Sequence, residues 1–194
     1  MNSAISQLYN FAFRGVLAEE ALDGQGRKSK LLLQMRDEEI VKAISLESLD
    51  TIHVSNARIM AIVYTAIAAF ESGVRELVTK VLRDKYMEDW WEKGFSNGVR
   101  ERAMKRMEEE QNARWHSQRG QDPINYTTFG DLKNTMQNNW IDFEDLVGSL
   151  TWASGIFDVV ERSRNVIMHS GMLEREDIDR LGVNIRDWVK QVGA

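Results

Sequence analysis

The chain has 194 residues, 43% of them hydrophobic, and its formal net charge is −5 at pH 7. This length suits one domain, or one domain with an appendage, and is sufficient to bury a core. The negative charge argues against a protein that grips long nucleic acid by bulk electrostatics, although it is compatible with a local basic site. Cysteine is absent, which excludes a disulfide framework, a thiol nucleophile and a cysteine metal site.

Residues 1–50 are expected to form an N-terminal helical extension, and residues 51–194 the main domain. Apolar positions across residues 3–22 predict a helix, which the glycines within residues 23–26 end. A second helix is favoured for residues 38–45, in a stretch whose pattern is otherwise ambiguous between helix and strand.

No targeting or membrane segment is expected. The N-terminus lacks a charged start followed by a long apolar core, and no window approaches the roughly 18 apolar residues of a membrane span. We therefore expect a cytoplasmic protein that does not associate with membranes.

A long core helix is predicted from Ser55 to about Tyr86. This stretch has no proline and one internal glycine, and its apolar residues recur with the helical period. Glu71 and Arg75 are spaced i,i+4 on this helix, so they are close enough to form an ion pair. The adjacent Trp90 and Trp91 precede a glycine-containing loop, and we interpret them as packed against the core rather than as a base-stacking platform.

Residues 99–119 predict an exposed and highly charged helix. A solvated face is the favoured interpretation. The alternative is that the basic end of this helix contacts phosphates of an RNA ligand, through Arg100, Arg102, Lys105 and Arg106. The histidines His53 and His116 have no Asp, Glu, Cys or His at ligand spacing, so no metal site is expected.

Three further helices follow in the sequence. Thr128 and Asp131 form a capping pattern that predicts a helix start. Residues 141–152 and 174–192 each have an apolar face with the helical period. The predicted fold class is therefore all-α, a helical bundle.

Between the last two of these helices, the stretch GIFDVVERSRNVIMHSG predicts a helix over about residues 155–170. Gly171 is expected to end it as a left-handed cap. On the polar side of this helix, Glu161, Asn165 and His169 follow one another at i, i+4 and i+8 and so form a row. Arg164 flanks that row.

The run Arg164-Asn165-Val166-Ile167-Met168-His169 resembles the signature of the HEPN superfamily, which comprises helical nucleotide-binding proteins and ribonucleases. The resemblance covers roughly residues 50–192. Phe70-Glu71 with Arg75, the tryptophan pair and residues 126–132 also look like a branch of this family. The resemblance implies a HEPN-type bundle in which Glu71 and Arg75 lie near the motif helix and orient it, which is an alternative to a simple surface pair.

These residues suit a reaction that needs neither a metal nor a cofactor. RNA supplies its own nucleophile, the 2′-hydroxyl, so an enzyme needs a group that transfers protons and a cation that stabilises the phosphorane. His169 fits the first role and Arg164 the second, and Asn165 would orient His169 or the phosphate. The predicted function is a metal-independent endoribonuclease, compatible with a toxin or a defence effector.

The family resemblance also implies partners. Its members commonly pair two motif helices across a two-fold axis, so a homodimer is expected, with RNA or a nucleotide as ligand and an antitoxin or nucleotidyltransferase as a further partner. Two alternatives stay open. One is a non-catalytic nucleotide-binding or protein-interaction module. The other is a structural motif in which Arg164 pairs with Glu161 or another carboxylate.

Overall fold

A computed structural model describes residues 37–193, and in these residues every regular element is a helix. The α-helices are α1 (Asp37–Ala43), α2 (Thr51–Tyr86), α3 (Trp90–Gly94), α4 (Asn97–Asn112), α5 (Phe129–Asn138), α6 (Trp140–Val147), α7 (Leu150–Met168) and α8 (Arg175–Val192). Short 3-10 turns occupy Leu46–Ser48, Met87–Asp89 and Pro123–Tyr126. The all-α expectation is confirmed.

The chain divides into two compact units, Met1–Thr51 and Ile52–Ala194. In the first unit the structure describes α1 and the 3-10 turn after it, where the sequence predicts a helix over residues 38–45. The helix predicted for residues 3–22 and the turn after it lie outside the described residues.

Helix α2 is the central element of the core. It has 36 residues, which corresponds to a length of about 54 Å. The buried side chains on one side of it are Met60, Ile67, Phe70, Val74, Val78 and Leu82. The Phe70 ring lies 5.7–6.2 Å from the rings of Phe129 on α5, Phe157 on α7 and Trp188 on α8. One aromatic cluster therefore joins four helices.

The α2 region also bears on membrane association. Thr51–Gly94 is the one stretch among the described residues that is long and apolar enough to cross a membrane by length and composition, and 28% of its most apolar window is buried. The core helix of a soluble domain meets the same criterion, so a single such helix is a weak indication. It nevertheless corrects the expectation that no part of the chain would approach that apolar content.

The break between α6 and α7 falls earlier than the sequence pattern predicts. The pattern continues through Trp152, but α6 ends at Val147 because Gly148 adopts a φ of 71°. Ser149 then caps α7, since its hydroxyl accepts a hydrogen bond from the backbone N–H of Trp152 at 3.3 Å. Gly155, the expected start, lies inside α7.

The charged helix is shorter than predicted. Helix α4 ends at Asn112, whereas the pattern continues to Arg119. Glu110 explains the difference, because its carboxylate accepts the backbone N–H of Arg119 at 3.2 Å and contacts the Arg119 side chain at 2.7 Å. These contacts bend the segment after α4 back toward its last turn.

The end of α7 is a Schellman motif displaced by one residue from the prediction. The helix ends at Met168, His169 is the C-cap, and the left-handed residue is Ser170, with a φ of 60°, rather than Gly171. The N–H of Ser170 donates to the carbonyl of Ile167 at 3.0 Å, and the N–H of Gly171 donates to that of Val166 at 2.8 Å. Gly171 is needed for space, since a Cβ there would lie 2.8 Å from the Val166 oxygen.

Two glycine substitutions test this account of the α7 terminus. Gly171→Ala is expected to lower the free energy of unfolding by about 1–3 kcal/mol, because the added methyl forces the cap apart. Gly155→Ala is the matched control, since its Cβ would meet nothing within 4 Å. It should raise the same quantity by roughly 0.5–1 kcal/mol through helix propensity. Urea unfolding measures both, and changes of the same sign would contradict the cap geometry.

Candidate active site on α7 and α2

Arg164 extends from α7 toward α2, where it pairs with a carboxylate. Its Nε lies 3.6 Å from Oε2 of Glu71, a distance that makes an ion pair but no hydrogen bond. The Nε atom is buried without a hydrogen-bond partner, whereas the side chain as a whole is 37% exposed. Within residues 37–193 the two terminal nitrogens of Arg164 make no hydrogen bond. They are therefore the atoms of this guanidinium that can donate hydrogen bonds to a phosphate oxygen.

Glu71 is shared between two arginines. Its Oε1 accepts a hydrogen bond from Arg75 at 2.5 Å, and its side chain is 15% exposed. Arg75 also donates to the carbonyl oxygens of Ile124 at 3.2 Å and Thr127 at 3.0 Å. The pair thus connects α2 to α7 and to the 3-10 turn before α5. This placement differs from that of a simple surface pair, because both side chains are mostly buried and reach across three elements.

His169 and Asn165 are exposed on the same end of α7. The backbone N–H of His169 donates to the carbonyl of Asn165 at 3.2 Å, so the helical spacing of the two residues persists to the cap. In the part of the chain that the structure describes, neither side chain has a hydrogen bond or an ion pair. Glu161, one turn earlier, is half-buried and is not the partner of Arg164. The carboxylate that pairs with this arginine is Glu71.

Exposed apolar side chains lie close to His169 in the sequence. Three side chains close to it in sequence are 38–56% exposed, namely Val166, Met168 and Met172. The two leading site residues therefore differ in surroundings: Arg164 lies against a carboxylate, whereas His169 lies on an exposed face with apolar neighbours.

The basic end of α4 makes several internal contacts. Arg102 donates to Oδ1 of Asp131 at 2.6 Å, and Arg106 donates to Oδ2 of the same residue at 3.2 Å and to the carbonyl of Tyr126 at 2.6 Å. Arg100 donates to the side chain of Asn97, and Lys105 is exposed. Two of these four cations are therefore committed to the fold, and their contact with RNA stays a prediction.

Arginines from two helices, α2 and α4, bind the backbone of the segment between α4 and α5. The sequence pattern did not predict these contacts. Arg75 contacts the carbonyls of Ile124 and Thr127, and Arg106 contacts the carbonyl of Tyr126 between them. Backbone carbonyl acceptors cannot be located from the sequence, because every residue has one. The signal that was readable is the capping box of Thr128 and Asp131, which is confirmed.

Asp131 is nearly inaccessible and ionised. Burial would raise the pKa of its carboxyl, but hydrogen bonds from Arg102, from Thr128 and from Arg106 outweigh burial and lower the pKa below its usual value of 3.8. A lowered folded-state pKa contributes stability that is fully present above the unfolded-state pKa and is lost as the pH falls through the folded-state pKa.

Asp131→Asn should therefore destabilise the protein in a pH-dependent way. The free energy of unfolding is expected to drop by roughly 1.5–3 kcal/mol at neutral pH, the range for hydrogen bonds to charged groups. The gap to wild type should shrink as the pH falls below about 3.8, the usual value, and on through the lower folded-state pKa at which the wild-type carboxyl becomes protonated. Asp158→Asn is the control, because that carboxylate is 54% exposed and only 3.5 Å from Lys133. An equal, pH-independent loss in both variants would contradict the assignment.

The tryptophan pair is part of the core. Trp90 and Trp91 are 8% and 9% exposed and pack against Phe95, so their interpretation as core residues is confirmed. Over residues 37–193, no group of three or more His, Cys, Asp or Glu side chains could hold a metal ion.

The described chain is an all-α bundle with an Arg-Asn-x-x-x-His run at the end of a core helix. The family model for Swt1-like HEPN matches residues 65–193, which is more than half of the chain. The chain belongs to this family. The match begins within α2 and includes Glu71, Arg75, Arg164 and His169. Comparisons with curated proteins and with solved structures found no match.

Proposed function

We propose that this protein is a metal-independent endoribonuclease. The observation that supports the proposal most directly is the placement of Arg164, whose Nε faces Glu71 while its terminal nitrogens have no partner among the described residues. A guanidinium that faces a carboxylate through Nε and leaves both terminal nitrogens open is suited to bidentate binding of a phosphate. An exposed histidine five residues later, in a domain of a nucleotide-binding and ribonuclease-type superfamily, supplies the group that transfers protons.

The reaction is a transesterification within the RNA backbone. The 2′-oxygen bonds to the adjacent phosphorus while its proton passes to a base. The bond from phosphorus to the 5′-oxygen then breaks, and that oxygen takes up a proton. The products are a 2′,3′-cyclic phosphate and a 5′-hydroxyl end. His169 accepts or donates the proton, Arg164 stabilises the charge on the phosphorane, and Asn165 orients the histidine or the phosphate.

Glu71 would act as a positioning residue for Arg164. Its second hydrogen-bond partner, Arg75, keeps the carboxylate neutralised when Arg164 turns toward a phosphate. A carboxylate left alone at 15% exposure would resist that change, because an unpaired buried charge is costly. The arrangement of two guanidiniums on one carboxylate therefore fits an arginine that exchanges one anionic partner for another.

The reaction needs two proton transfers, and a homodimer supplies two histidines. We place the two-fold axis near residues 164–169, where Met168 and Met172 expose apolar surface next to His169. Two copies of Arg164 around one cleft would also raise the local positive charge of an acidic protein.

Substitution of Met168 tests the dimer. Met168→Lys should lower the weight-average mass of the protein in sedimentation at tens of micromolar, about the range where a functional dimer should persist, because two like charges would face each other across the axis. The added positive charge does not repel RNA, so a parallel loss of cleavage would follow from the loss of the dimer. A wild-type protein that is monomeric at these concentrations would contradict the shared cleft.

Substitutions in the motif test the chemistry. His169→Ala should lower the rate of RNA cleavage by about 10²- to 10⁴-fold, the usual contribution of a positioned proton-transfer group. Arg164→Ala should lower it by about 10²- to 10³-fold, and Arg164→Lys should recover only part of that loss because an ammonium lacks the planar fork. Single-turnover cleavage of mixed RNAs, analysed for 2′,3′-cyclic ends, measures these rates.

The substrate supplies the control for this experiment. DNA of the same sequence, or RNA with a 2′-methoxy group at the cleaved position, should stay intact because the nucleophile is missing or blocked. Wild-type rates in His169→Ala would move the chemistry elsewhere in the chain. Cleavage of such DNA at a comparable rate would exclude 2′-hydroxyl attack altogether.

A second candidate is a non-catalytic module that binds a nucleotide or a protein. The ion pair between Arg164 and Glu71 favours it, because a paired arginine stabilises the helix contact without any substrate. The formal charge of −5 also favours it. Nucleotide binding that depends on Arg164, with no RNA cleavage by the wild-type dimer, would identify this module. A toxin or defence role, a protein partner such as an antitoxin or nucleotidyltransferase, and a cytoplasmic location remain predictions.

A further inference from the structure

Helix α2 has a second apolar seam outside the core. Its six members are all exposed and follow one another at spacings of 4, 3, 4, 3 and 4 residues: Ser55, Ile59, Ile62, Ala66, Ala69 and Gly73. This is the spacing of the a and d positions in a heptad repeat. We call these six residues the outer seam. It is offset by one residue from the core seam, and thus lies about 100° round the helix from it.

Two features of the outer seam have no explanation within the described chain. Ile62 is 76% exposed and Ile59 is 49% exposed, although they share one helical side. Gly73 lies inside the helix, and a Cβ there would meet nothing within 4 Å, even though glycine at such a position is less stable than alanine. A neighbouring helix would explain both features, since it would bury the isoleucines and come closest at the small residues.

The order of large and small side chains indicates which helix fits. The spacings between the seam residues are symmetric about position 64, so the seam has the same spacing in both chain directions. In an antiparallel pair of identical seams, Ile62 faces Ala66 of the second copy and Ile59 faces Ala69 of the second copy. Ser55 faces Gly73 in the same way. A parallel pair would place isoleucine on isoleucine and alanine on alanine, which leaves gaps between the helices.

We infer that the outer seam is an interface between two copies of this chain, with α2 of each antiparallel to the other about a two-fold axis at the level of Tyr64. Such a contact is self-complementary, as a two-fold interface requires. No member of the seam is charged. The inference does not depend on the ribonuclease proposal, because Glu71 lies roughly 160° round α2 from the seam and the motif-centred dimer would use the opposite side.

The size of the seam sets the expected affinity. From Ser55 to Gly73 it is about 27 Å long, and one pair of helix faces of this length buries less than the roughly 800 Å² per partner of a standard interface. We therefore expect association in the micromolar range, which concentration-dependent sedimentation of the full chain detects.

A charge exchange across the axis tests the interface. Ile62→Lys and Ala66→Glu each place two like charges near the axis, so each variant alone should show a smaller concentration-dependent rise in mass than wild type between roughly 5 and 200 µM. In a one-to-one mixture of the two variants, the introduced lysine of one chain faces the introduced glutamate of the other. The mixture should recover a higher weight-average mass than either variant alone, whether or not the motif-centred dimer is also present.

Ala61→Lys is the matched control, because Ala61 is exposed but lies about 100° round the helix from Ile62. It should associate like wild type. Three outcomes overturn the inference. The first is a mixture no heavier than its components. The second is a lower melting temperature of Ile62→Lys without a change in mass, which would mean that the seam is covered within the chain. The third is binding of the wild type, lost in Ile62→Lys, to phosphatidylcholine vesicles in place of self-association.

Discussion

The described domain depends on one carboxylate that two arginines share. Glu71 receives Arg75 from its own helix and Arg164 from α7, and Arg75 continues to the backbone carbonyls before α5. At 15% exposure the carboxylate needs at least one cation to offset its desolvation. Arg75 makes the hydrogen bond and Arg164 only the longer ion pair, so Arg164 is the arginine whose departure costs less.

A second arginine cluster stabilises the same region from the other side. Asp131 begins α5 as part of a capping box and receives Arg102 and Arg106 from α4. Together with Arg75, Arg106 binds the segment between α4 and α5 through its carbonyls. The start of α5 is thereby fixed relative to α2, and α5 in turn packs against α7 through Phe129 and Phe157. The position of Arg164 thus depends on contacts far from it in sequence.

The sequence predicted a helix wherever the apolar pattern was long or a capping residue type marked the start of the helix. Helix α2, the capping box at Thr128 and the closing helix α8 all follow from residue types at fixed spacing. The break at Gly148 and the left-handed Ser170 were missed, because glycine and serine also occur inside helices and only backbone geometry distinguishes the cases. The Arg-Asn-x-x-x-His pattern singled out Arg164 and His169 as candidate site residues, which stay a prediction. The choice of Glu71 over Glu161 required the packing of α2 on α7, which no local spacing encodes.

The two proposed two-fold surfaces, one on α2 and one near residues 164–169, have a consequence for assembly. A chain with one two-fold surface stops at a dimer, whereas a chain with two different two-fold surfaces continues to associate. Such a chain closes into a particle of dihedral symmetry when the two axes intersect at a suitable angle, which is a D2 tetramer when they meet at right angles, and otherwise it extends into a filament. The angle between the axis at the outer seam and the proposed axis near residues 164–169 would therefore decide whether the proposed catalytic pair exists as a discrete particle or as a repeating unit along a filament.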